Sequence, residues 1–515
     1  MSKKICKVFL IGAGPGDPDL ITVKAMQLLK KAEVVIFDAL ANPRLLTKIR
    51  SDVERIDASK RGGNHRLTQD QINDLLVEKA QSGRVVVRLK GGDPYLFGRG
   101  AEEAIYLAKH GIDCEIVPGV TSGIAAPGAG GIPVTYRKIA STVTFITGHE
   151  DPTKDETAID YQSLAGMIKV GGTACFYMGV GRLQLICDTL TKHGLSEETP
   201  IALVQWGTLP KQRMVRGNLQ TICDEVQRTG IGSPSMIVIG QVAGIDEAGL
   251  NGFMDRPLFG QKIIVTRTRQ QASSLRDKLE ALGADVIEAP TIEVVPPLDW
   301  GEVDEAVRKI GQYDWLVLTS VNGVNALRER LHANQLDARQ FSGVKIAAIG
   351  DATAKALEEQ LCLRADLVPT RYVAESLAGE MITKHGVKGE KVLLLRADIA
   401  RPALPELLDE AGAKVTEIVA YETKLTEALP TDVVQAIVDG DADWITFTSA
   451  STARNMCTLL GDNWSQLISQ TAIASIGPIT TAVLRDELST PPTIEAEVSN
   501  IQGLVDALVE AAQNR

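Results

Sequence analysis

The sequence predicts an α/β protein with two unlike parts. Three observations support this: strands alternate with helices in the first part, apolar runs end in glycine-rich loops, and the second part contains an internal repeat. Alternating strands and helices are typical of sheets covered by helices. A chain of 515 residues is also longer than one hydrophobic core usually serves, so we expect several domains.

Apolar runs locate the strands of the first part. The clearest run, residues 85–89, is nearly continuous in aliphatic residues, which is typical of a buried parallel strand. Strands are predicted at residues 7–12, 34–38, 85–89, 113–117, 142–147, 173–178, 201–205 and 235–239.

Cap signals locate the helices between these strands. Thr68 followed by Gln71 is a capping-box pair and predicts the start of a helix. Gly194 supplies a C-terminal stop for a helix over residues 182–193. A further helix is predicted near residues 20–31, between the first two strands.

The second part begins after residues 243–260, a segment without periodicity that predicts a domain boundary. Beyond it, four segments recur in order at an offset of about 127 to 129 residues, the size of a duplicated α/β domain. Two similar lobes imply a cleft between them, where ligands commonly bind. The paired segments are 262–267 with 391–396, 282–284 with 411–413, 314–320 with 443–449, and 346–350 with 473–477.

Composition excludes several classes of partner. A net charge of −11 and an aromatic content of 4% disfavour general nucleic-acid binding. No apolar run approaches the length of a membrane span. The seven cysteines are scattered without a Cys-x-x-Cys pair, and no signal peptide precedes the first strand. We therefore expect a cytoplasmic protein with reduced thiols, no metal site, and small-molecule ligands.

The strongest candidate binding motif follows the apolar run 85–89. Gly91 and Gly92 let a ligand approach the main chain closely, Asp93 can accept hydrogen bonds, and Arg99 places a permanent cation nearby. In open α/β sheets, small molecules bind where such loops leave the carboxyl ends of the strands.

The first glycine loop, residues 12–18, invites a dinucleotide-binding interpretation, with Asp38 as the ribose-binding carboxylate. Asp17 stands where a third glycine is required, and Pro15 removes a backbone N–H from the phosphate cradle. An NAD-dependent dehydrogenase fused to a two-lobed small-molecule-binding module is therefore the weaker alternative.

The first part resembles the tetrapyrrole methylase family, within the group that methylates uroporphyrinogen III. The resemblance covers about residues 6–243 and implies a two-lobed fold. Phe37 and Tyr136 depart from the family pattern, where Tyr and His are usual. The motifs that carry the resemblance are 12–18, 37–40, 59–62, 91–103, 117–122, 131–133, Arg137, 147–149 and 177–179.

This resemblance implies S-adenosylmethionine as methyl donor and a tetrapyrrole substrate rich in carboxylates. It implies Asp38 and Lys60 as candidate proton-transfer groups and Arg99 as a further catalytic candidate, with Arg99, Glu102 and Arg137 facing the macrocycle. The alternatives are that Asp38 is a turn residue and that Lys60 only anchors a substrate carboxylate. It also implies a homodimer through this part. The implied donor-binding residues are Pro15, Gly91, Gly92, Asp93, Leu96, Thr121, Ser122, Met178 and Gly207.

The second part resembles the uroporphyrinogen-III synthase family, whose motifs are individually weak but occur here in order. The resemblance implies two flavodoxin-like α/β lobes, one of them discontinuous in sequence. We expect the crossing strands near residues 291–295 and 419–423. The motifs are 265–267, 318–323, 349–354, 420–423, 448–451 and 476–480.

Tyr421 is the best single catalytic candidate of this part, because its hydroxyl can assist departure of a substrate hydroxyl. The implied substrate-binding residues are Thr319, Ser320, Thr353, Thr448, Ser449 and Thr480. Thr353 and Thr480 occupy equivalent turns and are expected to line the cleft. An alternative for Thr319 and Thr448 is that they only cap helices.

The expected organisation is a methyltransferase over residues 1–245, a linker over 246–258, and a synthase over 259–515. Within the synthase, we predict one lobe from about 259–292 plus 424–515 and the other from about 296–419. Together the resemblances imply a bifunctional enzyme that makes precorrin-2 from hydroxymethylbilane, on the way to sirohaem or cobalamin.

Overall fold

The computed structural model describes residues 7–50, 52–59, 67–149, 157–266 and 269–514. The described residues group into two compact units. One unit is drawn from residues 1–263, 276–286 and 505–515, and the other from residues 264–275 and 287–504. The strands form four five-stranded sheets, so the predicted α/β class is confirmed.

The first sheet is entirely parallel, with strand order β3-β2-β4-β1-β5. Its central strand β4 is buried at all five positions, as the apolar run predicts. The Thr68–Gln71 capping box forms as predicted and starts α3. The elements are β1 (Lys7–Gly12), β2 (Val34–Phe37), β3 (Glu54–Asp57), β4 (Val86–Lys90), β5 (Asp113–Val117), α1 (Val23–Leu29), α2 (Arg44–Thr47), α3 (Gln69–Gln81) and α4 (Gly100–Lys109).

The second sheet is mixed, with order β6-β7-β10-β8-β9. Only β6 and β7 pair in parallel, and the other neighbours pair antiparallel. The predicted strands are confirmed, but sequence analysis missed β9. The elements are β6 (Thr142–Thr147), β7 (Gly172–Tyr177), β8 (Pro200–Gln205), β9 (Arg213–Asn218), β10 (Ser235–Ile239), α5 (Ser122–Ala129), α6 (Tyr161–Lys169), α7 (Leu183–Lys192) and α8 (Ile222–Thr229).

The remaining two sheets have the orders β12-β11-β18-β19-β20 and β13-β17-β16-β14-β15. Their strands are β11 (Lys262–Val265), β12 (Asp285–Glu288), β13 (Ile292–Val295), β14 (Trp315–Leu318), β15 (Lys345–Ala348), β16 (Lys391–Ala397), β17 (Lys414–Leu425), β18 (Trp444–Phe447), β19 (Ala472–Ser475) and β20 (Ile494–Glu495). Their helices are α9 (Arg269–Ala281), α10 (Gly301–Arg308), α11 (Val321–Ala333), α12 (Asp351–Leu361), α13 (Ala374–Glu380), α14 (Ala403–Glu410), α15 (Thr431–Val438), α16 (Ala450–Leu460), α17 (Trp464–Leu467), α18 (Pro478–Ala482) and α19 (Ile501–Gln513).

The predicted crossing strands are observed as a pair. β13 runs antiparallel to the second half of β17, with Ile292 opposite Leu425 and Val295 opposite Glu422. The first half of β17 pairs in parallel with β16. The first half of the long strand β17 therefore belongs to a parallel sheet, and its second half forms the predicted crossing with β13.

Two further findings concern the environment of the chain. In the part of the chain that the structure describes, no helix combines the length and apolarity needed to cross a bilayer. Six of the seven cysteines lie in that part, and all six are free thiols.

Candidate active sites

Three glycine-bearing loops meet at the carboxyl ends of β1, β4 and β5. A Cβ on Gly12 would lie 2.5 Å from the Cα of Gly119, and a Cβ on Gly119 would lie 2.3 Å from the carbonyl oxygen of Gly92. The Gly92 amide donates to the Gly14 carbonyl at 2.7 Å. Only glycine fits at positions 12 and 119, because any side chain there would displace backbone atoms.

The two glycines after β4 differ in their surroundings. A Cβ on Gly91 would lie 2.7 Å from the Cβ of Leu40, whereas the space that a Cβ on Gly92 would enter is free of atoms within 4 Å. Gly92 also has a positive φ of 66°. The backbone at Gly92 therefore faces an open space that a ligand can occupy.

Asp93 fixes the shape of this loop. One carboxylate oxygen accepts from the Tyr95 amide at 2.8 Å, and the other accepts from the Gly119 amide at 3.1 Å. Asp93 thus connects the loops after β4 and β5, and its predicted contact with a ligand stays a prediction. Leu96 lies half-buried in the same loop.

The loop after β8 contacts the first glycine loop. Thr208 accepts a hydrogen bond from the Asp17 amide at 3.1 Å. Gly207 packs on α5, where a Cβ would lie 2.3 Å from the Cβ of Ala126. The predicted donor-binding positions Pro15 and Gly207 therefore belong to segments that are in contact across the two lobes.

Tyr177, at the end of β7, lies in the predicted motif 177–179, but it is not among the predicted site residues. Its hydroxyl lies 2.5 Å from Thr121 Oγ1 and accepts from the Gly123 amide at 2.9 Å. Its ring packs against that of Phe97 in a tilted arrangement, with 5.0 Å between the ring centroids. Burial raises the pKa of Tyr177, so its hydroxyl stays protonated. Tyr177 links the 91–100 loop to the start of α5, which begins at the predicted residue Ser122.

Strained backbone concentrates around the same cleft. Of nine non-glycine residues with positive φ in the described chain, five lie in the loops just described. These residues are Phe97, Arg99, Met178, Trp206 and Thr208. Such conformations are retained where the surrounding structure over-determines them, and they cluster at functional sites.

Removing the Tyr177 hydroxyl tests its structural role. We expect Tyr177→Phe to lower the free energy of unfolding by about 1–3 kcal/mol, because the amide of the buried Gly123 loses its partner. Urea denaturation measures this change. Tyr95→Phe is the matched control, because Tyr95 is an exposed residue of the neighbouring loop. Equal stabilities for the two variants would contradict the role assigned to Tyr177.

A buried cluster of four charges lies beneath the 91–100 loop. Arg88, Lys90 and Glu103 are only 2%, 4% and 0% exposed, and Asp38 is partly exposed at its edge. Arg88 donates to Asp38, and its Nε lies 3.4 Å from Glu103. Lys90 donates to Glu103 at 2.8 Å. Two cations thus balance two anions, and this pairing offsets part of the cost of burying the charges.

The cluster has two unusual properties. Burial lowers the pKa of Lys90, the Arg88 charge lowers it further, and Glu103 partly opposes both effects. The second carboxylate oxygen of Glu103 has no hydrogen-bond partner among the described residues. Asp38, a predicted proton-transfer group, is therefore held by a guanidinium that is itself anchored inside the protein.

The other predicted groups of the first part are more exposed. Arg99 and Glu102 form a two-bond ion pair at 3.0 and 2.6 Å, which lowers the pKa of Glu102. Arg137 is exposed and has no ion-pair partner among the described residues. Lys60 lies outside the described residues. The structure thus brings Arg99 and Glu102 together at the start of α4.

In the second part, Tyr421 lies on β17 next to the start of α11. Its hydroxyl is 2.8 Å from Ser320 Oγ. Burial raises the pKa of Tyr421, and Ser320 partly opposes this effect. The predicted residues Tyr421 and Ser320 are therefore in direct contact, and Tyr421 is protonated and able to donate.

The alternative interpretation of Thr319 and Thr448 as helix caps is wrong. The caps are the serines that follow them: Ser320 accepts from the Gly323 amide, and Ser449 accepts from the Thr452 amide. Each serine adopts the extended conformation that a cap requires. The two threonines are half-buried at the strand ends, and their hydroxyls are not occupied by capping.

Thr353 and Thr480 occupy equivalent first turns of α12 and α18, as predicted. Both are buried, with exposures of 4% and 3%. Their expected place in the lining of a cleft stays a prediction.

Comparison with known proteins identifies both parts. A model of the family Tetrapyrrole (Corrin/Porphyrin) Methylases matches residues 7–223, and a model of Uroporphyrinogen-III synthase HemD matches residues 273–506. A "Porphyrin biosynthesis protein HemD" of Ruminiclostridium josui is 36% identical over 98% of this chain and 97% of its own length. Both predicted resemblances are confirmed.

Relatives described as methyltransferases are closer in sequence. A "Uroporphyrinogen-III C-methyltransferase" of Bacillus subtilis is 41% identical over 73% of this chain and 77% of its own length. An "S-adenosyl-L-methionine-dependent uroporphyrinogen III methyltransferase" of Methanosarcina barkeri is 46% identical over 48% of this chain and 96% of its own length. A crystal structure of a Thermus thermophilus uroporphyrin III C-methyl transferase aligns with 47% of this chain at 34% identity and a TM-score of 0.40.

The dehydrogenase alternative receives no support from these relatives. The chain belongs to the tetrapyrrole methylase family in its N-terminal part and to the uroporphyrinogen-III synthase family in its C-terminal part, and it is therefore an enzyme with a methyltransferase half and a synthase half.

Proposed function

We propose that the chain performs two consecutive reactions. Its synthase half closes linear hydroxymethylbilane to uroporphyrinogen III with inversion of the last ring and release of water. Its methyltransferase half then methylates this product at C2 and C7 to give precorrin-2. The observation that carries the proposal is the match of both families on one chain, because the product of the first reaction is the substrate of the second.

The residues of the first part fit S-adenosylmethionine. The open space at Gly92 and the close approach of three glycine loops leave room for a ligand against bare backbone. Met178, which follows Tyr177 in the chain, is an exposed apolar side chain that can contact a partly apolar ligand. We assign donor binding to the loops that contain Pro15, Asp93 and Gly207. When bound, S-adenosylmethionine supplies an electrophilic methyl group.

In a methyl transfer, the alignment of the methyl donor with the substrate carbon supplies most of the rate acceleration. The rigid loops after β1, β4 and β7 provide that alignment. The ring carbon that gains the methyl group must then lose a proton, and we assign Asp38 as the base that accepts it. Arg88 orients the Asp38 carboxylate and stabilises its charge before the proton arrives.

In the synthase half, the substrate must lose a hydroxyl before its ring closes. We assign Tyr421 as the proton donor to that hydroxyl, since a buried, protonated phenol next to Ser320 is oriented for donation. The hydroxyls of Thr319 and Thr448 are free for substrate arms because the adjacent serines cap the helices.

Replacing Tyr421 by phenylalanine tests this assignment. We expect the kcat of ring closure to fall by about 10²-fold, because the variant lacks the general acid. This value is at the lower end of the range for general acids, since the substrate hydroxyl leaves readily even without a proton donor. Methylation of added uroporphyrinogen III should be unchanged. Since burial raises the pKa of Tyr421, wild-type ring closure should not decline until the pH exceeds the ordinary tyrosine pKa of 10.0. An unchanged kcat in Tyr421→Phe would contradict the assignment.

The complete proposal is tested by incubating the protein with hydroxymethylbilane and S-adenosylmethionine. Absorbance and mass should identify precorrin-2, and omission of the methyl donor should stop the reaction at uroporphyrinogen III. Accumulation of unmethylated product in the complete mixture would contradict the proposal.

Two structural proposals accompany this function. The domain boundaries stay at residues 1–245 and 259–515, on the basis of the motifs and the loss of periodicity between them. A homodimer through the methyltransferase part rests on the family resemblance, and light scattering of the pure protein tests it.

A further inference from the structure

A cavity of about 190 Å³ opens at the carboxyl ends of β14, β15 and β16. Thr319, Ile349, Tyr372, Arg396 and Arg401 contribute to its walls. This volume is below the roughly 300–1,000 Å³ of pockets that hold drug-sized ligands, so it suits a short side arm. The carboxyl ends of parallel strands are the usual place for a ligand site.

Arg396 is built into the wall of this cavity. It is 3% exposed, its Nη2 donates to the Arg401 carbonyl, and its Nη1 lies 2.9 Å from a carboxylate oxygen of Glu417. Its Nε has no hydrogen-bond partner among the described residues. A buried guanidinium with an unused donor is costly, since buried polar groups are normally satisfied. The spare donor indicates a missing acceptor.

The charge of the cavity indicates what that acceptor is. Both charged residues in its walls are arginines, and Arg401 is 71% exposed, so its guanidinium can turn to a ligand. At present it lies 3.4 Å from Glu375, a long contact that a better-placed carboxylate can replace. Thr319 adds a hydroxyl at the strand end. Two guanidinium groups and a hydroxyl are the donors that suit a carboxylate.

The cavity lies beside the proposed proton donor. Thr319 precedes Ser320, whose hydroxyl is 2.8 Å from that of Tyr421. An arm bound in the cavity would bring its pyrrole ring to the same sheet edge as the Tyr421 hydroxyl.

We propose that Arg396, Arg401 and Thr319 bind one acetate or propionate arm of the linear tetrapyrrole. This inference rests on the proposed synthase function. It gives a role to two residues that neither the sequence motifs nor the comparisons assign. Arg396 supplies the fixed charge of the site, and Arg401 closes over the carboxylate from the solvent side.

Steady-state kinetics with hydroxymethylbilane tests the site. We expect Arg401→Ala to raise KM about tenfold or more, the effect of losing one charged hydrogen bond, with kcat changed less than about threefold. Arg396→Lys, which keeps the charge but loses the fork of donors, should also raise KM. Arg364→Ala is the matched control, because Arg364 is an exposed arginine of the same unit that does not line the cavity.

Arg401 is exposed, so its variant should fold, and a kcat of ring closure within about threefold of the wild type reports that the synthase half has folded. An Arg401→Ala enzyme with wild-type KM would overturn the carboxylate site alone. A wild-type protein that forms no uroporphyrinogen III from hydroxymethylbilane would overturn the proposed function and this inference with it.

Discussion

Replacing Glu103 by glutamine should lower the free energy of unfolding by about 3–5 kcal/mol, the cost of breaking a buried ion pair from one side. Glu103 is the one anion that contacts both Arg88 and Lys90 in the buried cluster. Without its charge, two buried cations share only the partly exposed Asp38. Urea denaturation at pH 7 measures the change.

Glu225→Gln is the matched control for this substitution. Glu225 pairs with Arg228 on the surface of α8, where an ion pair contributes at most about 1 kcal/mol. If Glu103→Gln proves as stable as Glu225→Gln, the cluster does not stabilise the fold as we infer.

The pH dependence of the Glu103 variant has a definite sign. Burial already lowers the pKa of Lys90 from 10.5 in the folded protein, and losing Glu103 removes the main opposing effect. Between a lowered folded pKa and the unfolded pKa, the unfolded chain binds more protons, so stability increases with pH. The difference between the variant and the wild type should therefore shrink as the pH rises toward 10.5. A constant difference from pH 7 to 10 would show that Lys90 is not the group left unpaired.

Replacing Asp38 by asparagine should lower the kcat of methylation by about 10²–10⁴-fold, the range for loss of a general base. Asparagine keeps a hydrogen-bond acceptor for Arg88 but cannot take a proton. Mass spectrometry of the methylated products under saturating donor measures the rate. Ring closure by the same variant should be unaffected, because Asp38 belongs to the methyltransferase half.

Asp19→Asn is the control for the Asp38 variant. Asp19 is an exposed carboxylate that follows the first glycine loop, residues 12–18, and pairs with Lys48. Replacing it should leave the rate of methylation within about twofold of the wild type. Full methylation activity in Asp38→Asn would show that a group other than Asp38 accepts the proton.

Most of the strands were predictable because their signal is local. The buried run that forms β4 and the strands β1, β5, β6 and β10 were predicted with the observed bounds or within one residue. The crossing of β13 with β17 was also predicted, but from the family resemblance. Strands β3 and β9 of the first part were not predicted. The sequence of β9, Arg213–Asn218, alternates weakly and contains a glycine.

The contacts between side chains were less predictable. Arg88 and Lys90 stand out as charged residues on one face of an otherwise apolar strand, a signal that could have indicated the buried cluster. Nothing in the sequence indicates that Glu103, rather than Glu102, turns inward to meet them. The link between Tyr177 and Thr121 joins residues that are 56 positions apart in the sequence, and only tertiary structure reveals such a partner.

Five non-glycine residues in the loops of the methyltransferase part have a left-handed backbone conformation. Each costs on the order of 1–3 kcal/mol relative to a relaxed conformation, and such residues persist only where the surrounding structure over-determines them. The cleft is thus shaped before any small molecule enters, so association sacrifices little chain entropy and its affinity reflects direct contacts.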